Sequence, residues 1–564
     1  MRGRRERAGA WVWCLRAGVG VGVLLAACGG PTLPERAPPR GDAELVLRVL
    51  GAEGEGELPA ARVALLGADG RQVRGKPRAG GLGWRTLRQA HVAGAGESYD
   101  YVRGEARFRV APGPARLLVT RGVERVPVER RLRFAPGERR ALSVRLPRAW
   151  APDPGRLCAD LHFHLGRFEG AHDSDLRALL EAEELDWAAL VDWAGRAGPE
   201  DRSRFWGGWA WREGELPALP GGGGLPAFAA QSWARAERAC DMHLYGHRTP
   251  VRGESEHSRA AIVAAARREG GVVSGALGHV YAEGALLGEV AASEVLVLGR
   301  FHGLERWYDL LDVGARLGAV AGTDTQGGAA PQLLVDYHAP PGANRTCARV
   351  APGERDREAL LAAVAAGRTT VTSGPRLELR VAGAAPGGEA RVSSGAARVE
   401  LALDLPSEAG GRLLLVHDGE EVWSAPVEGR GPRHALELPV RASGWVAARY
   451  EGARRVPGGD VPLAHTSPVY LVVPGRPGWD PEAAARVRAR LAEPEAIRTS
   501  GRSTAAERAL ALAWNARARA LLDARERAAV EETPRARDRG HAPTEEMPRA
   551  RAPRRRERIA EARP

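Results

Sequence analysis

Residues 160–164, Asp160-Leu161-His162-Phe163-His164, are the stretch on which the reading of this chain turns. Along an extended strand the side chains alternate, so Asp160, His162 and His164 share one face and Leu161 and Phe163 the other. Imidazole nitrogen and carboxylate oxygen suit zinc, manganese or iron. A strand that carries such residues to the mouth of an α/β barrel delivers them where barrel enzymes do their chemistry. One His-x-His pair is commonly structural, so the reading rests on partners further along. They follow in order: His172, then Asp241-Met242-His243, then Leu277-Gly278-His279, then Ala321-Gly322-Thr323-Asp324.

Outward from this stretch, residues 149–376 alternate apolar strands with amphipathic helices, the texture of βα repeats. Asp173 or Ser174 can cap a helix whose buried stripe is Leu176, Leu179 and Leu180, and "WAALVDW" follows as a strand. Ser258 to Arg268 reads as an Ala-rich helix ended by Gly270-Gly271, before the strand "VVSGAL". On either side the texture is different. Residues 42–148 hold short apolar runs between Gly and Pro turns, the pattern of a β-sandwich, and resemble a carboxypeptidase-regulatory-like module that spaces domains or binds carbohydrate. Residues 377–474 predict a second β-sandwich, and residues 478–530 a helical segment whose second helix opens on a Thr504-x-x-Glu507 capping box and carries Leu510, Trp514, Leu521 and Leu522. From 531 to 564 the Pro, Arg and Glu content predicts a disordered basic tail.

The beginning of the chain carries its own signal. Arg2, Arg4, Arg5 and Arg7 precede an apolar run from Ala17 to Ala27 that stops at Leu25-Ala26-Ala27-Cys28-Gly29. This resembles a bacterial lipoprotein signal peptide over residues 1–27, with Cys28 as the lipidated residue and 28–41 as a tether. The run is shorter than the ~20 residues that span a bilayer. The expected location is the bacterial cell envelope, anchored to a membrane through lipid on the periplasmic or extracellular side. The 564 residues allow several domains, and a hydrophobic content of 44% fills globular cores. The net charge of +12 is spread as arginine over all segments, concentrated only in the last residues, so no nucleic-acid partner is expected. Of the five cysteines, Cys158, Cys240 and Cys347 would remain after export; a Cys158–Cys240 disulfide, an extra thiolate ligand and three free thiols all stay open.

The order of these motifs resembles that of the PHP (polymerase and histidinol phosphatase) metallohydrolases, in their carbaryl-hydrolase branch, CehA/McbA. The resemblance runs from "CADLHFHLGRFEGAHDSDLRALLEAEELD" through "GLERWYDLLDVGARLGAVAGTDTQGG" to "PPGANRT" and "AAVAAGRTTVTSGP". It implies a multidomain α/β plus β protein, with a distorted (β/α)7 PHP barrel flanked by an N-terminal and a C-terminal β-sandwich, a helical segment and a disordered tail. It also implies one or two divalent ions (Zn, Mn or Fe) held by His162, His164, His172, His243, His279 and Asp324, with His247 in reserve. Asp324 and His279 would be catalytic, Asp160 and Asp192 would stand behind the ligands to orient them, and Asn344 and Arg345 would clamp a polar or anionic part of the substrate. The chain departs from the family pattern in several places. Ser232 stands where a ligating Glu is usual, with Glu237, Glu254 and Glu256 as remote substitutes. Asp192-Trp193 replaces Asp-His, Gln326 replaces a histidine, and Gly278 and Val280 replace the usual neighbours of His279. These departures point to fewer metals.

The function expected is that of an exported, lipid-anchored, metal-dependent hydrolase acting with metal-activated water on an ester, carbamate, amide or phosphoester of a small-molecule or envelope-derived substrate. The alternative is a non-catalytic binding lipoprotein with a degenerate PHP barrel.

Overall fold

A computed structural model describes residues 42–51, 59–73, 75–77, 100–165, 179–194, 227–235, 238–247, 259–327, 339–393, 395–492 and 504–537. At the N-terminal side two four-stranded sheets face each other. One runs in the order Gly75–Pro77, Glu105–Val110, Ala43–Leu50, Arg139–Arg145, the other Asp100–Arg103, Ala60–Leu66, Gly113–Thr120, Val128–Phe134. Their alternate residues, among them Leu45, Leu47, Val63, Leu65, Phe108 and Leu117, fill the space between them. A buried carboxylate ties this unit to the segment that precedes the strand Trp187–Ala194: Glu183 pairs with Arg62 at 2.8 Å and accepts from the Tyr101 hydroxyl at 2.6 Å.

The strand Arg156–Leu165 is the junction of the molecule. It runs parallel to Trp187–Ala194 along one edge. Along the other edge its first half pairs antiparallel with Arg345–Arg349, and its last residues pair parallel with Thr325–Gly327. A disulfide joins Cys158 to Cys347, directly opposite each other in this pairing. Neither the Cys158–Cys240 bridge nor the set of three free thiols is formed, because register brings Cys347 and not Cys240 across from Cys158. The side chain of Cys240 lies outside the described residues.

The (β/α)7 barrel expected from the resemblance is not what the strands build. After Trp187–Ala194 and its parallel neighbour Ala227–Arg235, the strands Arg238–Tyr245 and Val272–Gly275 each join antiparallel. Arg345–Arg349, Thr369–Thr372 and Leu463–Thr466 continue the sheet antiparallel on the other side. The result is one mixed sheet, closed on itself, in which the C-terminal strands are hydrogen-bonded to the central ones. The expected C-terminal flanking sandwich is corrected with it: Arg412–His417, Gly444–Glu451, Leu463–Thr466 and Val469–Val472 belong to that sheet, and they pack against a separate three-stranded layer, Arg376–Val381, Gly395–Asp404 and Arg433–Val440. Parallel repeats need a crossover helix at each step, whereas antiparallel neighbours do not. Between these strands the helices Arg259–Arg268, Ala282–Leu286, Leu304–Asp312 and Arg357–Ala365 are described.

Two further helices cover the central core, Pro481–Leu491 and Ala505–Arg537. Asp480 caps the first, accepting from the Glu482 amide at 2.8 Å. At the second, Thr504 Oγ1 accepts from the Glu507 amide at 3.2 Å and Glu507 accepts from the Thr504 amide at 2.8 Å. Trp514 is buried in the core shared with Leu286, Trp307 and Leu310, with its indole N–H donated to Glu289. The helix passes Glu531 and ends at Arg537, so the first residues of the expected disordered tail are helical. No helix among the described residues is long and apolar enough to cross a membrane.

Candidate metal centre

The site grows from the upward face of the 156–165 strand. Asp160 is fully buried beneath it and collects four hydrogen bonds: the His162 and Thr323 amides at 3.0 Å each, the Gly342 amide at 2.7 Å, and the Thr323 hydroxyl. Burial pushes its carboxyl above the usual aspartate range, although these donors pull the other way. Asp160 was expected to orient a ligand imidazole; instead it fastens three backbone segments, because the imidazoles are held from elsewhere. The 323–324 segment lies hard against the strand. A side chain at Gly322 would stand 2.3 Å from the His162 backbone nitrogen, so only glycine fits there. The Asp324 amide donates to the His162 carbonyl at 2.7 Å, and Asp324 itself takes a left-handed backbone, φ 53°. For a non-glycine residue that conformation is uncommon and clusters at functional sites.

Three ligand atoms converge above this base. His162 Nε2 lies 3.1 Å from His164 Nε2, and Asp324 Oδ1 lies 3.2 and 3.3 Å from the two nitrogens. The far nitrogens decide which proton is where. His162 Nδ1 meets Glu294 Oε1 at 2.9 Å and His164 Nδ1 meets the Val191 carbonyl at 3.0 Å, both pure acceptors, so each Nδ1 carries the hydrogen. In the neutral imidazoles both Nε2 lone pairs then face each other and the carboxylate oxygen, an arrangement that could hold a metal ion. Ligands of a tetrahedral zinc at ~2.0–2.1 Å stand ~3.3 Å apart, close to these separations. Burial works to raise the Asp324 pKa, but His162 and His164, when protonated, outweigh it through their charge and hydrogen bonds and hold the carboxyl far below its ordinary value. The group is open on one side: His162 is sealed, while the side chains of His164 and Asp324 are 10% and 16% exposed.

His243 packs against His162, with ring centroids 4.1 Å apart. Its Nδ1 lies 3.1 Å from the Tyr245 hydroxyl, which donates to the Leu161 carbonyl at 3.2 Å and accepts from Ser274 Oγ at 3.3 Å. Tyr245 is thereby left as an acceptor toward His243, and His243 Nε2 has the free lone pair. That nitrogen is buried with no hydrogen-bond partner. Burial, reinforced by the neighbouring imidazoles of His162 and His164, drives the His243 pKa well below the usual histidine range, so the ring stays neutral. His162, His243 and Glu294 form a second group with ligand atoms within 4.8 Å of one another. Such groups of histidine and carboxylate can hold a metal ion.

Glu294 is the residue of these groups that motif reading missed. It lies on the strand Ala292–Val297, every residue of which is buried, and its Oε2 accepts from the Leu277 amide at 2.8 Å. A lone carboxylate inside the apolar run "ASEVLVLG" is the signal that marks it. Tyr245, which fixes the His243 tautomer, lies two residues on along the strand Arg238–Tyr245 and so shares the face of His243.

The remaining candidates fall elsewhere. His279 sits in a turn after Gly278 and joins neither group of potential ligands. His302 stands near it, its pKa lowered to about 4 chiefly by burial and then by Arg300, whose Nε donates to its ring at 3.1 Å. His247 is buried outside the groups. Asn344 and Arg345 are both fully buried, and the Arg345 guanidinium donates to the Gly342 carbonyl at 2.6 Å and the Glu183 carbonyl at 3.1 Å. The expected substrate clamp is therefore an internal strut. His172, Glu254, Glu256 and Cys28, and the side chains of Asp192, Ser232, Glu237, Asp241 and Gln326, lie outside the described residues.

No family model and no curated protein matches the chain. Among solved structures, one match is GBS52, the minor pilin of the Gram-positive pathogen Streptococcus agalactiae, at 14% identity and a TM-score of 0.14, covering 20% of this chain and 47% of the pilin. The match spans about half of the pilin's length, and a likeness so slight fixes neither fold nor activity.

Proposed function

We propose that this chain is a metal-dependent hydrolase that holds one divalent ion between His162, His164 and Asp324, with His243 as the adjacent donor. The observation that carries the proposal is the convergence of two Nε2 lone pairs and a carboxylate oxygen within 3.3 Å, on imidazoles whose other nitrogens are already committed. The orphaned Nε2 of His243 supports it. So does the order of the motifs, in which the chain resembles the PHP metallohydrolases. Zinc fits the donor set best; manganese and iron share it. When bound, such an ion supplies Lewis acidity toward a carbonyl or phosphoryl oxygen and acidifies water.

The protein's own residues do the rest. Glu294 and the Val191 carbonyl hold the two imidazoles in one tautomer and one orientation. Asp324, the more exposed of the ligand side chains, stands on the open side, where its second oxygen would accept a hydrogen bond from an attacking water and orient it. Substrate would approach over His164 and Asp324. An ester, carbamate, amide or phosphoester would each offer the required oxygen.

Export and anchoring through Cys28 belong to the same proposal, and the Cys158–Cys347 disulfide favours an oxidising compartment. The second reading, a binding lipoprotein without turnover, is favoured by the position of His279 outside the ligand groups. Metal content of the full chain, purified without chelator and reconstituted with Zn, Mn or Fe, tests the first step. His162→Ala and Asp324→Asn are the controls. An ion lost in both variants, with ester, carbamate or phosphodiester turnover lost alongside, supports the hydrolase. Metal binding without turnover on any of these supports the second reading, and no bound ion refutes both forms of the site.

A further inference from the structure

At the opposite end of the 156–165 strand lies a second feature that the metal chemistry does not use. A cavity of about 150 Å³ opens between the central sheet and the three-stranded C-terminal layer. Its lining includes five arginines, Arg156, Arg349, Arg368, Arg376 and Arg380, against one carboxylate, Glu378.

The folding pattern explains why they converge. Arg156 lies opposite Arg349, and Cys158 opposite Cys347, which in turn lies opposite Thr370. Directly opposed residues of antiparallel strands share a face, so Arg156, Arg349 and Thr370 project from one side of the sheet. Along Arg376–Val381 the residues Arg376, Glu378 and Arg380 lie on the face opposite to Leu377, Leu379 and Val381, which enter the core, and Glu378 reaches Arg349 at 3.5 Å and Arg376 reaches Asp153 at 3.5 Å.

The charges are only partly neutralised. Arg349 pairs with Asp153 at 2.6 Å, Arg376 pairs with Glu378 at 2.6 Å, and Arg156 pairs with Glu124. Among the described residues no carboxylate pairs with Arg368 or Arg380; Arg380 makes a hydrogen bond only to the Gly383 carbonyl, at 3.2 Å. Arg156 also donates to Cys347 Sγ at 3.0 Å, so the disulfide forms part of the floor. Guanidinium forks gathered at the mouth of a small cavity match the geometry of an oxyanion.

We propose that this cavity is a binding site for a phosphate-sized oxyanion, distinct from the metal centre. Six residues of extended strand separate Arg156 from His162, roughly 20 Å at ~3.3 Å per residue. The site is thus independent of whether the protein hydrolyses anything. The oxyanion is either free in solution or carried on a lipid headgroup.

The test is calorimetric titration of inorganic phosphate into the full chain, at constant ionic strength set with chloride. The comparison is the Arg368→Ala/Arg380→Ala variant, both of whose positions are exposed and outside the metal centre. Saturable binding is expected, weakened about tenfold for each guanidinium removed, which corresponds to ~1.4 kcal/mol apiece. Flotation with phosphatidylglycerol vesicles, both chains carrying Cys28→Ser so that no attached lipid contributes, then separates the two sources. Vesicle binding by the chain that phosphate competes away and the double variant lacks assigns a headgroup; phosphate binding without such vesicle binding assigns a free anion. Phosphate heats that do not saturate, or affinity unchanged in the double variant, would overturn the proposal.

Discussion

Replacing Glu294 by glutamine probes the least expected part of the metal centre. In the native protein Oε1 accepts from His162 Nδ1 and Oε2 from the Leu277 amide, so both oxygens act as acceptors. A glutamine has one carbonyl oxygen and one amide nitrogen, and the nitrogen cannot accept. Either the Leu277 amide loses its partner or His162 loses the hydrogen bond that fixes its tautomer. Losing a charged, buried hydrogen bond costs ~1.5–3 kcal/mol. Where the imidazole is the one to suffer, partners of this type change metal affinity by ~10–100-fold. Competition for Zn between the full chain and a chromophoric chelator measures this directly. The expected result is a Kd raised ten- to a hundredfold with stoichiometry intact. An unchanged Kd in Glu294→Ala as well, where neither bond can form, would refute the orienting role, and complete loss of the ion in Glu294→Gln would mean that Glu294 is itself a ligand, within the group His162, His243 and Glu294.

Three further predictions concern other parts of the molecule. The Asp312 carboxyl, raised to about 7 by burial and by Asp418, Asp480 and Asp309 despite the Trp445 hydrogen bond, keeps its proton in the fold when the unfolded chain has lost it. Its contribution to stability is complete below the unfolded value near 3.8 and is lost as pH rises toward 7; the ceiling is roughly 4 kcal/mol. Asp312→Asn keeps an acceptor for the Trp445 indole, so its Tm should overtake that of the native protein progressively from pH 4 to 7; a gap independent of pH would contradict this. Reducing the disulfide, or the double change Cys158→Ser and Cys347→Ser, should lower stability by ~2–5 kcal/mol in urea unfolding, and an unchanged midpoint would show that the sheet holds this register unaided. Gly322→Ala brings a methyl against the His162 backbone and should weaken Zn binding while leaving the N-terminal sheets folded by circular dichroism; native affinity would mean that the 322–324 segment yields freely.

The parts of the site that were legible in the sequence are those set by local rules. Alternation along a strand is a two-residue period, so Asp160, His162 and His164 could be assigned to one face without knowing the fold. Asp160 shows the limit of such a rule: its face was readable, but its partners, the Thr323 and Gly342 amides, come from far along the chain. Arg345 was misjudged for the same reason, since an arginine beside Asn344 in a loop-like motif reads as accessible until Glu183 and Gly342 close over it. The barrel failed at the level of pairing sense. Strands such as "VVSG" and "RTCAR" have the same apolar texture whether they join parallel or antiparallel; here "RTCAR" joins antiparallel, and "VVSG" antiparallel on one edge and parallel on the other. Glu294 carried a usable signal that a search for histidine motifs passes over.

The disulfide and Asp160 act on the same strand, one at Cys158 and the other two residues further on. Together they clamp its lower half both covalently and through three backbone segments, while its last residues, His164 and Leu165, meet the short strand Thr325–Gly327 and the carbonyl of Val191. The covalent and side-chain ties are therefore gathered at the lower half of the strand, away from the open side of the site. If the site holds an ion as proposed, ions of unequal radius would be accommodated by small movements of His164 and Asp324 about a stationary His162, and tolerance for more than one metal would follow from the anchoring.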